Sequence, residues 1–131
     1  MKHEIDNIRL PQQAKDQLSN LKRKTKIEQW NILCRWALAL SLAEKNNPPK
    51  SIPATDSSID INWKTFAGDK GAIYYALLVD RCQKEGLEIQ TENLTLLLRR
   101  HLIRGIGFMT ARRDLKDIDG LIACALDTER D

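Results

Sequence analysis

The stretch IEQWNILCRWALALSL (residues 27–42) restricts the fold of this chain most, because apolar residues occupy nearly every side of the helix that it would form. A helix that is apolar almost all round is stable in water only when other elements cover it. Thr25 and Glu28 match a capping box, in which the threonine oxygen accepts from a free backbone N–H and the glutamate reaches back. The sequence therefore predicts a central helix from about Lys26 to Lys45.

The residues before this helix predict a second, shorter one. Pro11 fixes the backbone angle that the first turn of a helix needs. The helix then runs to about Lys24 with one narrow apolar stripe at intervals of four and three residues: Ala14, Leu18 and Leu21. Two helices joined by a short turn form an αα-hairpin, and the basic segment KRKTK (22–26) lies in that turn.

Two short segments predict extended structure, and a loop separates the halves of the chain. EIDNIRLP (4–11) and IDINWK (59–64) alternate apolar and polar residues. NNPPKSIPATDSS (46–58) is rich in Pro, Asn and Ser and predicts the loop.

The second half predicts three more helices. One runs from Gly71 to Glu85, ends at Gly86, and has a broad apolar face expected to pack on the core: Ile73, Ala76, Leu77, Cys82 and, near them, Val79. The next starts at Thr91 with an inward face of Leu94, Leu97, Leu98, His101 and Leu102. The two glycines of RGIGFMTARRD (104–114) predict a loop or a broken helix, and a last helix starts at about Asp117.

Together these patterns predict a mainly α protein: one compact helical domain over residues 1–131, with an αα-hairpin and one or two short extended segments. No apolar stretch approaches the roughly 20 residues of a membrane span, and the first residues contain no secretory signal. Cys34, Cys82 and Cys124 are widely spaced and predict core positions in a cytoplasmic protein. No metal-ligand spacing, cofactor fingerprint or catalytic motif is present, so we expect no cofactor and no enzymatic activity.

Positive charge is concentrated in two segments, although the formal net charge is only +3. Residues 1–50 contain ten Lys or Arg against five Asp or Glu, and residues 99–113 contain five Arg and no acid. The remaining segments, 51–98 and 114–131, are acidic. A local excess of cations is typical of a surface that binds a polyanion.

The first basic cluster surrounds the turn of the predicted αα-hairpin, and its members are Lys15, Lys22, Arg23, Lys24 and Lys26. Cations suit the negative C-terminal end of a helix, which would explain one or two of them. No acid lies between Asp16 and Glu28, so the cluster repels itself unless an anion neutralises it. We therefore expect these residues to contact a polyanion through its negatively charged groups.

The second basic cluster contains only arginines: Arg99, Arg100, Arg104, Arg112 and Arg113. A guanidinium group can hold a phosphate with two parallel hydrogen bonds. The same arginines can instead pair with the acidic stretches 80–92 and 114–119, or contact another subunit.

The hairpin IRLPQQAKDQLSNLKRKTKIEQWNILCRWALALSL, the Pro-rich loop and GDKGAIYYALLVDRC resemble the DndE family over essentially the whole chain. This resemblance implies a helical, oligomeric DNA-binding accessory of the bacterial Dnd system, which replaces a non-bridging phosphate oxygen of DNA by sulfur. It also implies other Dnd-system proteins as partners, namely the sulfur-transfer and ATP-using subunits, and binding to nicked double-stranded DNA.

Two alternatives remain open from the sequence. An extended arm followed by two helices is also the order of a ribbon-helix-helix regulator, whose paired arms enter the major groove. A protein–protein adaptor without direct DNA contact would use the arginines and acidic blocks to bind other subunits. Under any of these hypotheses, the apolar central helix favours a homo-oligomer such as a tetramer.

Overall fold

A two-stranded antiparallel ribbon joins the start of the chain to its second half. The computed structural model describes Ile5, residues 7–50 and residues 59–111, in which β1 (Ile8–Arg9) pairs with β2 (Asp60–Ile61). Ile8 lies opposite Ile61 and both are buried, whereas Arg9 and Asp60 form an exposed ion pair at 3.8 Å. Successive side chains of a strand point to opposite faces, so the alternation of apolar and polar residues in the sequence places the isoleucines inside and the charged residues outside. The two predicted extended segments are confirmed in part: each contributes a two-residue strand, but Trp63 and Lys64 already belong to the helix that follows.

The αα-hairpin is also confirmed, and it consists of α1 (Gln12–Thr25) and α2 (Trp30–Ala43). The predicted apolar stripe of α1 is buried, and Thr25 extends it by one turn. On α2, the buried face comprises Leu33, Cys34, Ala37, Leu38, Leu40 and Ser41.

The predicted capping box between Thr25 and Glu28 is wrong, and α2 begins four residues later than predicted. Thr25 is the last residue of α1, and its buried hydroxyl donates to the Leu21 carbonyl at 2.7 Å. Lys26 then adopts a left-handed conformation (φ 63°), and its N–H donates to the Lys22 carbonyl at 3.0 Å. Because Thr25 is used to end α1, the chain passes through three more residues before Trp30 starts α2.

A short helix, α3 (Trp63–Ala67), leads through a 3₁₀ turn (Gly68–Lys70) into α4 (Gly71–Lys84). The Asn62 side chain caps α3 by accepting from the Thr65 N–H at 2.8 Å. At the end of α4, Gly86 has φ 78°, as predicted. Its N–H donates to the Gln83 carbonyl at 3.0 Å, and the Leu87 N–H donates to the Cys82 carbonyl at 3.0 Å. This pair of bonds is a Schellman motif.

The face of α4 that packs on the core differs from the predicted one. Leu78, Arg81 and Cys82 are buried, whereas Ile73 and Leu77 are 57% and 45% exposed. Ala76 is exposed as well. At about 100° per residue, positions 78, 82 and 85 share one side of the helix, and Ile73 and Leu77 lie well away from it. An apolar strip of α4 is therefore left at the surface.

The last described helix, α5 (Thr91–Ala111), is continuous, so the predicted break at the two glycines is wrong. Its predicted inward residues, from Leu94 to Leu102, are all buried. Gly105 lies against the backbone of Ala37 on α2, where a Cβ atom would lie 2.7 Å from the Ala37 Cα and nearer still to its carbonyl group. The glycine permits this close helix contact, and the packing outweighs its low helix propensity.

The core lies between α2 and α5, which form the most extensive contact between two elements in the described part of the chain. Helices α1 and α4 and strand β1 also pack on α5. Mainly α architecture is thus confirmed. The predicted last helix, Arg112, Arg113 and Cys124 lie outside the described residues.

Candidate nucleic-acid interface

Three cations of the first basic cluster line one open cleft at the junction of α1 and α2. The cleft has a volume of about 670 Å³, and its walls are Ser19, Lys22, Arg23, Lys26, Glu28 and Trp30. Lys22 and Arg23 project from the last turn of α1, and the left-handed turn at Lys26 brings a third cation beside them. The sequence predicted this clustering, although the turn that produces it is not the predicted one.

Trp30 forms the other wall of the cleft and fixes one of the cations. The Lys22 Nζ atom lies 4.7 Å from the centroid of the indole ring, which is a cation–π distance. Trp30 is half-buried and is the first residue of α2. Trp30 belongs to the apolar stretch 27–42, which the sequence predicted to be covered by other elements, so its contribution to the candidate site was missed.

Within the described residues, no Asp or Glu side chain forms an ion pair with Lys22, Arg23, Lys24 or Lys26. Arg23 is oriented by a hydrogen bond from its guanidinium group to the Asn20 side-chain oxygen. Glu28 is the one acid on the wall of the cleft. The positive charge at the end of α1 is therefore available to an external anion.

The other two members of the first cluster lie outside this cleft. Lys15 is half-buried near the start of α1, seven residues and therefore about two turns before Lys22. Lys24 is fully on the surface, about 200° around the helix from Lys22. Both add to the local positive potential, but only Lys22, Arg23 and Lys26 converge on one volume.

The three described arginines of the second basic cluster, Arg99, Arg100 and Arg104, differ in their environments. Arg104 donates to four groups of its own chain: the Ser41 hydroxyl at 2.8 Å, the Ser41 carbonyl at 2.7 Å, the Asn46 carbonyl at 2.9 Å and the Asn46 side-chain oxygen at 3.2 Å. Arg99 and Arg100 are half-buried on α5, and each has a buried Nε atom without a hydrogen-bond partner among the described residues. The intramolecular alternative therefore applies to Arg104, although its partners are a serine and an asparagine rather than acids.

Arg104 belongs to a buried polar network that the sequence did not predict. His101 and Ser41 are completely buried, with 2.7 Å between His101 Nδ1 and Ser41 Oγ, and His101 Nε2 lies 2.9 Å from Glu85. Arg81 forms an ion pair with Glu85 at 3.0 Å. The sequence signal for this network was a polar residue on an apolar helix face, such as Ser41 on α2. Buried polar groups need hydrogen-bond partners, so such a residue indicates other polar groups nearby in the core.

The protonation state of His101 follows from this geometry. The Glu85 carboxylate, paired with Arg81, accepts from His101 Nε2, so the ring proton lies on Nε2; in the neutral ring Nδ1 then accepts from the Ser41 hydroxyl, whose oxygen also accepts from Arg104. Burial lowers the pKa of His101, and the charges of Arg81 and Arg104 lower it further, against the opposing effect of Glu85. Ser, His and Glu are the residue types of a hydrolase triad, but His101 and Ser41 have no exposed surface, and the network serves to hold α2, α4 and α5 together.

The cysteines within the described residues are core residues, as predicted. Cys34 is fully buried, and burial raises the pKa of its thiol to about 12. Cys82 is also buried, and burial and then the charge of Glu85 raise the pKa of its thiol. In residues 7–50 and 59–111, no three His, Cys, Asp or Glu side chains are grouped to hold a metal ion. No helix in these residues is both long enough and apolar enough to cross a bilayer.

These features define a small, mainly helical protein with an unneutralised basic cleft at one helix junction. The family model for the DNA sulphur modification protein DndE matches residues 7–117, and the chain belongs to the DndE family. The fold is similar to the crystal structure of DndE from Escherichia coli B7A, which is described as involved in DNA phosphorothioation modification. The two share 22% sequence identity with a TM-score of 0.68, covering 82% of this chain and 99% of the other. No curated protein sequence matches this chain.

Proposed function

We propose that this protein binds duplex DNA through the sugar-phosphate backbone and serves the DNA sulfur-modification system as a non-catalytic accessory subunit in the cytoplasm. The observation that carries the proposal is the convergence of Lys22, Arg23 and Lys26 on one open cleft without carboxylate partners among the described residues. Membership of the DndE family supplies the cellular process.

The expected binding mode is electrostatic and independent of sequence. Cations that contact phosphates release condensed counterions, and this release supplies most of the affinity of non-specific DNA binding. Lys15 and Lys24 would strengthen the attraction without entering the cleft. The positive end of the α2 dipole, which begins at the cleft, favours an anion in the same place.

A preference for nicked DNA follows from the shape of the basic surface. The cations lie in a cleft at a corner between two helices, and not along a flat face. A nick is a flexible point at which the backbone bends at little energetic cost, so a nicked strand can follow the cleft more easily than an intact one.

The ribbon-helix-helix alternative does not agree with the pairing of the arm. In that class, the arms of two subunits pair with each other. Here, β1 pairs with β2 of the same chain, with Ile8 opposite Ile61.

The test is a titration of the purified protein with intact, nicked and single-stranded DNA of one sequence, followed by fluorescence anisotropy. Replacing Lys22, Arg23 and Lys26 singly by Gln should weaken binding to every duplex sequence and lower the slope of log affinity against log salt by about 0.9 per lost contact. Lys45→Gln is the matched control, because it removes the same charge about 20 Å away, beyond the other end of α2. Unchanged affinity and slope in all three cleft variants would refute the proposal.

A second candidate role, contact with other protein chains, is favoured by the exposed apolar strip on α4. Ile73, Ala76 and Leu77 lie together on the solvent side of this helix. Large exposed apolar side chains in a group are typical of a protein interface. We propose that this strip forms a homo-oligomer such as a tetramer, or binds other proteins of the Dnd system. The chain itself covers only part of the central helix α2, on which Ile32 and Trp36 are half-buried and Ala39 is exposed.

Light scattering tests the oligomer directly. The parent protein should have a mass that is a multiple of 15.0 kDa at micromolar concentration. The double variant Ile73→Asp, Leu77→Lys should have the monomer mass with unchanged helical circular dichroism, because both positions are exposed. A parent protein that is monomeric under these conditions would contradict the homo-oligomer.

A further inference from the structure

A second cleft adjoins the basic one, and Trp30 and Glu28 line both of them. The second cleft has a volume of about 360 Å³ and lies between the start of α2, strand β2 and the cap of α3. Its other walls are Gln29, Asn31, Asp60, Ile61, Asn62 and Thr65. Both volumes are within the range of about 300–1,000 Å³ that is usual for small-molecule sites.

The two clefts differ in the ligand groups that they suit. The first presents three cations and suits a phosphate. The second contains two carboxylates, Glu28 and Asp60, which repel a phosphate, and several amide groups. A ligand that contacts both clefts is therefore expected to be anionic at one end and to carry no negative charge at the other.

The amide groups of the second cleft suit the edge of a nucleic-acid base. Asn31 Nδ2 donates to the Thr65 carbonyl at 3.1 Å, and Asn62 Oδ1 accepts from the Thr65 N–H at 2.8 Å. These bonds fix the two side chains, and among the described residues they leave the Asn31 carbonyl oxygen and the Asn62 amino group without a partner. One acceptor and one donor on fixed amides match the hydrogen-bonding groups of a base.

We propose that the two clefts together hold the nucleotide at a DNA strand end, with its terminal phosphate between Lys22, Arg23 and Lys26 and its base beside Trp30 in the second cleft. This inference rests on the proposed function and specifies the ligand of the same site. A terminal phosphate monoester carries a charge of about −1.5 to −2 at neutral pH, compared with −1 for a backbone diester. Three converging cations favour the group with the larger charge. An intact strand has no free end, so its base cannot reach the second cleft without leaving the stack.

The first experiment compares three duplexes of one sequence: intact, nicked with a 5′-phosphate and nicked with a 5′-hydroxyl. We expect the 5′-phosphate nick to bind at least about tenfold more tightly than the 5′-hydroxyl nick, since the terminal phosphate that meets the three cations is present in the first duplex and absent from the second. Lys22→Gln should reduce this ratio. Lys24→Gln, at the same helix end but outside the cleft, should weaken all three duplexes equally and keep the ratio.

Trp30→Leu tests the position of the base. It should weaken binding to both nicked duplexes by a larger factor than binding to the intact duplex, because only an end nucleotide places its base against Trp30, whereas loss of the cation–π contact to Lys22 affects all three duplexes. A second measurement uses the parent sequence, so it does not require Trp30→Leu to fold. The protein is labelled with 5-fluorotryptophan, and its three ¹⁹F signals are assigned by single Trp→Phe variants. Thymidine 5′-monophosphate should shift the Trp30 signal saturably, inorganic phosphate should compete, and the signals of Trp36 and Trp63 should stay in place.

The outcomes separate this inference from the proposed function. Equal affinity for the two nicked duplexes, or a Trp30 signal that thymidine 5′-monophosphate does not move, overturns the strand-end site while salt-dependent binding to intact DNA still supports the proposed function. Absence of binding to all three duplexes overturns both.

Discussion

The pair Gly105 and Gly107 on α5 gives the sharpest test of the packing that underlies this fold. Both glycines lie inside one helix, two residues apart. A Cβ atom at Gly105 would overlap the carbonyl group of Ala37 on α2, whereas a Cβ atom at Gly107 would have no atom within 4 Å. Replacement by Ala should therefore change stability in opposite directions at the two positions.

The magnitude for Gly105→Ala follows from the distances. An ordinary contact between carbon atoms is about 3.5–4.0 Å, so α2 and α5 must separate by about 1 Å to accept the methyl group. Overpacking of this kind costs about 1–3 kcal/mol. The separation also stretches the hydrogen bonds that Ser41 makes to His101 and Arg104, now 2.7 and 2.8 Å, at about 1 kcal/mol each. We expect a loss of about 3 kcal/mol or more in the free energy of unfolding.

For Gly107→Ala, only helix propensity changes, and Ala is favoured by about 0.8–1.0 kcal/mol. Urea denaturation followed by circular dichroism measures both variants, and thermal unfolding should give a midpoint roughly 10 °C lower for Gly105→Ala and a few degrees higher for Gly107→Ala. If Gly105→Ala were as stable as Gly107→Ala, the close approach of α2 and α5 would be refuted.

Three further predictions concern Lys26, His101 and Cys34. Lys26→Gly should be as stable as the parent or up to about 1 kcal/mol more stable, because glycine accepts φ 63° without strain. The variant should still lose DNA affinity, as Lys26→Gln does. Urea denaturation measures the stability, and fluorescence anisotropy measures the affinity. The pKa of His101 is lowered in the folded protein, so below pH 6.5 the unfolded chain binds more protons than the folded one. The free energy of unfolding should therefore fall as the pH drops, by up to about 1.4 kcal/mol per pH unit. This contribution to the pH dependence of stability should be absent in His101→Gln. Cys34 should not react with iodoacetamide at pH 8 in the native state, since its thiol is buried and protonated. Cys34→Ala should lower the free energy of unfolding by about 1 kcal/mol or more without changing DNA binding.

The parts of the fold that the sequence predicted are those set by local pattern. The leucines of α5 repeat on one face from Leu94 to Leu102, and Gly86 follows the last turn of α4, so both elements could be recognised without knowing their neighbours. The errors have a different origin. The low helix propensity of Gly105 suggests that the helix breaks there. The helix continues because the backbone of Ala37 packs so closely against this position that a glycine is needed.

The α4 face could not be assigned from the sequence for a similar reason. Apolar residues lie on both sides of this helix, and periodicity alone does not decide which side meets the core. The answer depends on Arg81 and Glu85, whose hydrogen bonds and ion pairs to α2 and α5 fix the rotation of the helix. A buried arginine is an unusual core residue, and it therefore gave no hydrophobic signal.

The candidate site was predicted in part because charge density is visible in a sequence and geometry is not. Lys22, Arg23 and Lys26 stand close together in the chain, so their convergence required only a turn. The role of Trp30 depends on where α1 ends. The left-handed conformation of Lys26 delays the start of α2 to Trp30, and this places the indole at the edge of the cleft.

The two walls of the basic cleft differ in how firmly the fold holds them, and this difference bears on the proposed function. Helix α2 is anchored along its length: Asn31 and Arg35 donate to backbone carbonyls of α3, and Ser41 bonds to His101 and Arg104 of α5. The opposite wall consists of long cationic side chains at the exposed end of α1, positioned only by side-chain contacts: Lys22 lies over Trp30, and Arg23 donates to Asn20. A firmly held Trp30 beside cations that are held by side-chain contacts alone is suited to a ligand whose phosphate position varies but whose base meets a fixed surface. Under the proposed function, α1 would therefore contribute mainly to affinity, and α2 would distinguish a strand end from a continuous strand.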